Sequence, residues 1–247
     1  AGIIGSFPAL NAREADGEHP LLDTWLTQIK EELDRHNQAN PDTPAAPYAV
    51  NQIVHRSNGR LERDIEICVQ HEVPVWITSL GARVEVNEAA HSCGGITLHD
   101  IINNKFAKKA IEKGADGLVL VCAGAGGHTG QYAMAPFLDE VRQFFDGPIA
   151  VGGGISSGAA VLAVETLGAD FAYVGTRFLT AEENLIGNDY RQMVIDSGIE
   201  DLVASKAITG VLGVWMKASI AAAGMDLDDM KAEAKLDFSG DMHAGTK

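Results

Sequence analysis

Three short apolar runs between residues 114 and 178 each break off, at the carboxyl end, into glycine, histidine, serine or threonine. The run 117–123 leads into GAGGHTG, 148–151 into GGGISSG and 171–174 into GTRF. Continuous apolar runs of this length are the pattern of parallel strands buried on both faces, whose carboxyl ends carry function. Gly152-Gly153-Gly154 and Gly175-Thr176 follow consecutive strands, where backbone amides approach a phosphate with no Cβ in the way. Two neighbouring glycine-rich loops after the last strands of a barrel are the usual phosphate site of that fold.

The length fits the same architecture. The chain has 247 residues, and roughly 250 is typical of one (β/α)8 barrel. Along the chain, 3–10 is strand-like and 20–36 is an amphipathic helix with Leu22, Trp25, Leu26, Ile29 and Leu33 on one face. The proline-rich stretch 40–47 is a loop. Strands at 48–54 and 73–80 flank a helix over 59–71. A strand at 96–101 precedes a helix over 105–113, which Gly114 ends as a left-handed cap. A helix follows over 134–145, and Ser156 or Ser157 caps another that runs to Gly168. Seven strands result, so the expected fold is an α/β TIM (β/α)8 barrel lacking its first strand in this chain, the missing strand preceding Ala1. Residues 1–180 form the barrel domain and 181–247 a helical extension packed on it, with helices at 189–196, 211–223 and 226–235.

Charge and composition exclude several classes. Nineteen Lys and Arg against 34 Asp and Glu give a net charge of −15, which argues against a surface for nucleic acid and requires any phosphate to be held locally by backbone amides. No apolar run approaches the ~20 residues of a membrane span. The three cysteines follow no C-x-x-C spacing, so neither a disulfide framework nor a zinc site is indicated, and a cytoplasmic setting fits. His19, His36, His55, His71 and His91 lie in loops or on solvated faces without a ligand pattern; no metal is expected.

Asn51, Ser79, His99, Asp100, His128, Gly153 and Thr176 all fall at carboxyl ends of strands, the end that holds a barrel's active site. His128 stands in AGAGGHTG, where the glycines leave room for a planar cofactor. An imidazole there titrates near neutral pH and can move a proton or donate a hydrogen bond. Cys122, within the preceding strand, is a small buried hydrophobe.

The segments GADGLVLVCAGAGGHTG, PIAVGGGISSG and GADFAYVGTRFLTAEE resemble the nitronate monooxygenase (2-nitropropane dioxygenase-like) flavoproteins. AVNQ, VWITSLG and AITGVLGVWMKASIAAAGMD match more weakly. The resemblance implies an FMN-binding barrel in which His128 is the catalytic histidine and Gly127 belongs to the flavin-side loop. Gly153, Gly154, Gly175 and Thr176 then hold the FMN phosphate, and Asn51 contacts the flavin ring. It implies oxidation of alkyl nitronates by molecular oxygen to a carbonyl compound and nitrite; a homodimer is the candidate assembly. The same G-G-H motif occurs in NAD(P)H-dependent flavin enoyl-acyl-carrier-protein reductases. That reaction, a quinone reductase, and a flavin-binding barrel without turnover are the alternatives, because fold does not settle reaction. FMN is expected over FAD, since no G-x-G-x-x-G opens a helix after the first strand.

Overall fold

The computed structural model describes residues 2–13, 21–227 and 230. Seven strands form one sheet in the order β1 (Ser6–Pro8), β2 (Ala49–Ile53), β3 (Val75–Ser79), β4 (Ile96–Ile101), β5 (Gly117–Val121), β7 (Ile149–Gly152) and β8 (Phe171–Tyr173). The pairs β1–β2, β2–β3, β3–β4 and β7–β8 are parallel. The strands alternate with α1 (Leu21–Ala39), α2 (Leu61–Gln70), α3 (Val84–Ser92), α4 (Asn104–Glu112), α5 (Met134–Arg142) and α6 (Gly158–Thr166). Sequential parallel order with a helix in each crossover is the TIM-barrel class of α/β fold. All seven strands lie where the apolar runs place them. Helix α3 was not expected: its sequence VEVNEAAHS carries few large apolar residues, and it buries Val86, Asn87 and Ala90.

The chain divides into two compact units, Ala1–Asp100 with Lys108–Leu118, and Ile101–Ala107 with Val119–Lys247. In the first, Val50, Trp76, Leu61, Cys68, Val86 and Ala90 belong to one fully buried cluster with Leu22 and Leu26 of α1. Gln52 donates to Cys68 Sγ of α2 at 3.3 Å, so Val50, Gln52 and Trp76 face the helices. By alternation, Asn51 and Ile53 face the other way. In the second unit, α5 buries Phe137, Leu138 and Val141 and packs on β7. Ser157 caps α6, its Oγ accepting from Ala160 N at 3.2 Å.

The segment after residue 181 contains α7 (Asn188–Asp196) and α8 (Lys217–Ala222), but also strands. β9 (Leu202–Ser205) and β10 (Gly213–Met216) form an antiparallel ribbon, and β10 also pairs with β6 (Gly127–His128). The helix expected over 211–223 therefore starts only at Lys217, because GVWM is spent on strand pairing. The helix expected over 226–235 falls mostly outside the described residues.

A repeated device sets the strand register. Gly114 and Gly168 end α4 and α6 at φ +92° and +98°, a left-handed turn that suits glycine. Two residues later an aspartate grips the preceding strand's backbone. Asp116 accepts from Thr97 N at 2.7 Å, and Asp170 accepts from Ile149 N at 2.8 Å. Replacing Asp170 with Ala leaves that amide without its acceptor and should lower stability by about 1–3 kcal/mol. Urea unfolding at pH 7 checks this; an unchanged midpoint would remove the carboxylate from the account of register.

Candidate functional site

Three glycine-bearing loops of the second unit converge. After β5, Gly124 (φ +91°) meets the loop after β7: Gly154 N donates to Gly124 O at 2.9 Å. Gly153, at φ +144°, has no space for a side chain, since a Cβ would lie 2.9 Å from Ala123 O and 3.0 Å from Cys122 Cβ. A Cβ on Gly126 would collide with the Thr176 hydroxyl, which places the β5 loop against the turn after β8. That turn, Thr176–Thr180, is a 3-10 helix preceded by Gly175, whose own Cβ position is open. The first intrahelical donor is Phe178 N, bonded to Gly175 O at 2.9 Å. The amides of Thr176 and Arg177 thus have no intrahelical acceptor, and the Arg177 side chain is exposed beside them.

Of the expected phosphate loop, Gly153, Gly154, Gly175 and Thr176 are brought into one neighbourhood through Gly124 and Gly126. Their duties differ. Gly154's amide is committed to Gly124, so it fixes loop shape, while the exposed donors are those of Thr176 and Arg177. Sequence reasoning passed over Arg177, although the G-T-R-F string contains it.

His128 is half-buried on β6, with Gly213 of β10 opposite. Its Nε2 lies 3.1 Å from Thr209 Oγ1, and that hydroxyl donates to Val211 O at 3.2 Å. With the threonine proton so directed, the Thr209 oxygen is placed to accept from Nε2. Gly127, at φ +68° with open space at its Cβ position, leaves one side of the histidine uncrowded. Thr209 is a second residue that sequence reasoning missed; it sits in the weaker matching segment AITG.

Asn51, Ser79 and Asp100 belong to the first unit. Asn51 Nδ2 donates to Ser79 Oγ at 3.0 Å across β2 and β3. Burial pushes the Asp100 carboxyl up to about 6, against donation from Ser79 and from Leu80 N. Its neighbour His99 faces the opposite way: Nδ1 is 2.5 Å from Thr78 Oγ1, and burial, with Lys109 and Lys113 nearby, lowers its pKa to about 4. His99 is therefore a neutral histidine beneath the helices. Cys122 is fully buried, its thiol pushed up to about 11 by burial, consistent with a packing role. Among the described residues no group of three or more His, Cys, Asp or Glu could hold a metal ion, and no helix is long and apolar enough to cross a membrane.

The two shifted groups oppose one another in folding linkage. His99 binds its proton more weakly folded (about 4) than at its ordinary 6.5, so its contribution is present above pH 6.5 and is lost as pH falls toward 4. Asp100 binds more tightly folded (about 6, against 3.8), so its contribution is present below pH 3.8 and is lost as pH rises through 6. Each slope is on the order of 1.4 kcal/mol per pH unit, with opposite sign. Asp100→Asn removes one of them. Relative to wild type, the variant should lose stability progressively from pH 6 to pH 4, measured by urea unfolding at both ends; a pH-independent difference would contradict the buried carboxyl.

Comparison with known proteins places this site in a lineage. The family model for nitronate monooxygenase matches residues 18–232. A Rhodococcus jostii protein named (3aS,4S,5R,7aS)-5-hydroxy-7a-methyl-1-oxo-octahydro-1H-indene-4-carboxyl-CoA dehydrogenase is 27% identical over 165 residues, 67% of this chain and 46% of that protein. A probable nitronate monooxygenase of Staphylococcus aureus is 30% identical over 159 residues, 60% of this chain and 45% of that protein. The chain thus spans about half the length of the curated relatives it matches. The structure of FabK from Thermotoga maritima superimposes with a TM-score of 0.65 at 21% identity, covering 76% of this chain and 60% of that one, a likeness of fold. The chain belongs to the nitronate monooxygenase family, a family of flavin-dependent oxidoreductase enzymes.

Proposed function

We propose that this chain binds FMN and oxidises alkyl nitronates with molecular oxygen, giving a carbonyl compound and nitrite. The observation that carries the reading is the placing of His128, fixed by β10 and Thr209, two residues after the glycine that abuts Thr176. The loops fit a flavin mononucleotide. Gly153 lets the loop after β7 close on Ala123 and Cys122, where a Cβ would collide, and the amides of Thr176 and Arg177, next to the exposed Arg177 side chain, offer an anion site. A local site of this kind offsets the repulsion that a chain of net charge −15 exerts on phosphate.

When bound, FMN supplies the electron acceptor that this chain's side chains lack. His128 meets the nitro group or its α-carbon. With a neutral nitroalkane, the His128 imidazole takes the α-proton while Thr209 holds its Nε2 end; with a nitronate already formed, the ring orients the anion. A second reading, hydride exchange between the flavin and a coenzyme A thioester, is favoured by the Rhodococcus jostii relative, whose name is that of a dehydrogenase of an indene-carboxyl-CoA.

The purified protein should release FMN and no FAD on denaturation, read by chromatography. Gly153→Ala should weaken FMN binding tenfold or more, on the order of 1.4 kcal/mol, since the loop must shift to admit the methyl. Anaerobic nitronate should bleach the flavin. Bleaching by NAD(P)H, with none by nitronate, would replace the first reading by the second. His128→Ala should keep FMN and lose turnover by on the order of 10²-fold. Loss with nitroalkane alone identifies proton abstraction, and loss with pre-formed nitronate as well identifies anchoring. Wild-type rates with both would remove His128 from the mechanism.

A further inference from the structure

Asn51, Ser79 and Asp100 form a row on one face of three adjacent strands. The register pairs Asn51 with Ile77, Ile53 with Ser79 and Thr78 with His99, which leaves Ser79 and Asp100 together on the face that Asn51 shares. Ser79 is the middle member, with one proton and two acceptors for it. Its Oγ lies 3.3 Å from Asn51 Oδ1 and also reaches the Asp100 carboxyl, while Asn51 Nδ2 lies 3.0 Å from the same Oγ.

The geometry points to a proton-coupled switch: the protonation state of Asp100, passed through the Ser79 hydroxyl, sets which side of the Asn51 amide Ser79 engages, and so the balance of acceptor and donor that Asn51 offers to a ligand on this face of β2–β4. With Asp100 ionised, Ser79 donates to the carboxylate and accepts from Asn51 Nδ2, so one Nδ2 hydrogen is engaged and both lone pairs of Asn51 Oδ1 are left for a ligand. When Asp100 takes a proton, its new O–H donates to Ser79 Oγ. The Ser79 proton then swings to Asn51 Oδ1, which engages one of that oxygen's lone pairs and releases the Nδ2 hydrogen. One O–H bond forms, at Asp100, and no other covalent bond changes. Asp100 is a positioning residue in this scheme, acting through two others.

Three features set this row apart from an ordinary polar patch. The Asp100 residue is half-buried with its carboxyl turned inward, while Ser79 is buried and its hydroxyl is confined to the row. Leu80, which aims its N–H at Asp100, holds φ +62°, a conformation that non-glycine residues adopt at a cost. Gly81 follows at φ +157°, where a Cβ would lie 3.2 Å from Val54 O. Backbone strain of this kind collects at functional sites. No charged group competes, because β2, β3 and β5 contain no ionisable side chain. On β4 itself, His99 faces the other way against Thr78. From α4, Lys109 bears on His99, as does Lys113 just beyond the helix, and Lys113 Nζ is bonded to Ala82 O at 2.6 Å; neither acts on Asp100.

The inference rests on the FMN reading only in the choice of ligand, a ring that carries both N–H and C=O groups and distinguishes an amide acceptor from an amide donor. The switch itself is testable without it. In the full chain, uniformly labelled and free of cofactor, the ¹H–¹⁵N signals of the Asn51 side-chain amide should follow a one-proton transition with midpoint near pH 6. The Asp100 ¹³Cγ signal should share that midpoint. Asp100→Asn should abolish the amide transition. Ser79→Ala should abolish it too, while Asp100 continues to titrate. An Asn51 amide that stays flat in wild type overturns the proposal, as does a transition that survives Ser79→Ala in full. In FMN-loaded protein the flavin absorption maximum should shift with the same midpoint, and both variants should lose the shift. Failure to bind FMN would sink the cofactor reading and leave the amide titration to decide the switch alone.

Discussion

The carboxylates of Asp116 and Asp170 hold the register on which every functional position depends. In each G-A-D turn a helix ends on a left-handed glycine, and the aspartate then takes a backbone N–H of the neighbouring strand. Burial works against ionising these groups. For Asp116, donation from Thr97 N, His91 and the Thr97 hydroxyl overcomes it; for Asp170, Ile149 N and Arg142 do so. Both carboxyls are held below their ordinary range. A slip of one residue turns every side chain of a strand to the opposite face, so a bond at the strand's start decides what appears at its end.

Parity then sorts the polar residues. On β3 and β4, Thr78 and His99 go under the helices while Ser79 and Asp100 stay on the other face, although each pair is adjacent in sequence. Two buried titratable groups one residue apart end up with opposite fates. His99 is kept neutral by burial, and Asp100 is raised toward neutrality with two donors still aimed at it. The first is packing. The second is a group whose proton is exchangeable at ordinary pH.

Most of this was legible in the chain. Buried parallel strands write themselves as short apolar runs, and all seven fell in place, three of them marked further by the glycine-rich loops that follow. The Gly114 and Ser157 caps were legible because each is a one-residue chemical demand. Helix α3 escaped because it rests on small residues, and the β9–β10 ribbon because GVWM next to KASIAA has helical spacing until a partner strand claims it. Hydrogen-bond allocation could not be anticipated. That Gly154 spends its amide on Gly124, and that Thr209 lies beside His128 from 81 residues away, are tertiary facts with no local signature.

That last pairing shapes how the candidate site is built. The barrel-strand loop supplies His128, but its backbone partner is Gly213 and its ring partner Thr209, both from the segment after β8. A glycine-rich loop such as AGAGGHTG is conformationally costly to order, and pairing two of its residues with β10 spreads that cost over an antiparallel ribbon. Gly213 itself is held close: a Cβ there would lie 2.9 Å from Trp215 Nε1. A larger residue at 213 would therefore act on the histidine through the ribbon, without touching the glycine loops that meet Thr176. The glycine loop thus meets the turn after β8 at Gly126 and the ribbon at Gly127 and His128, so each contact is ordered by a different part of the chain.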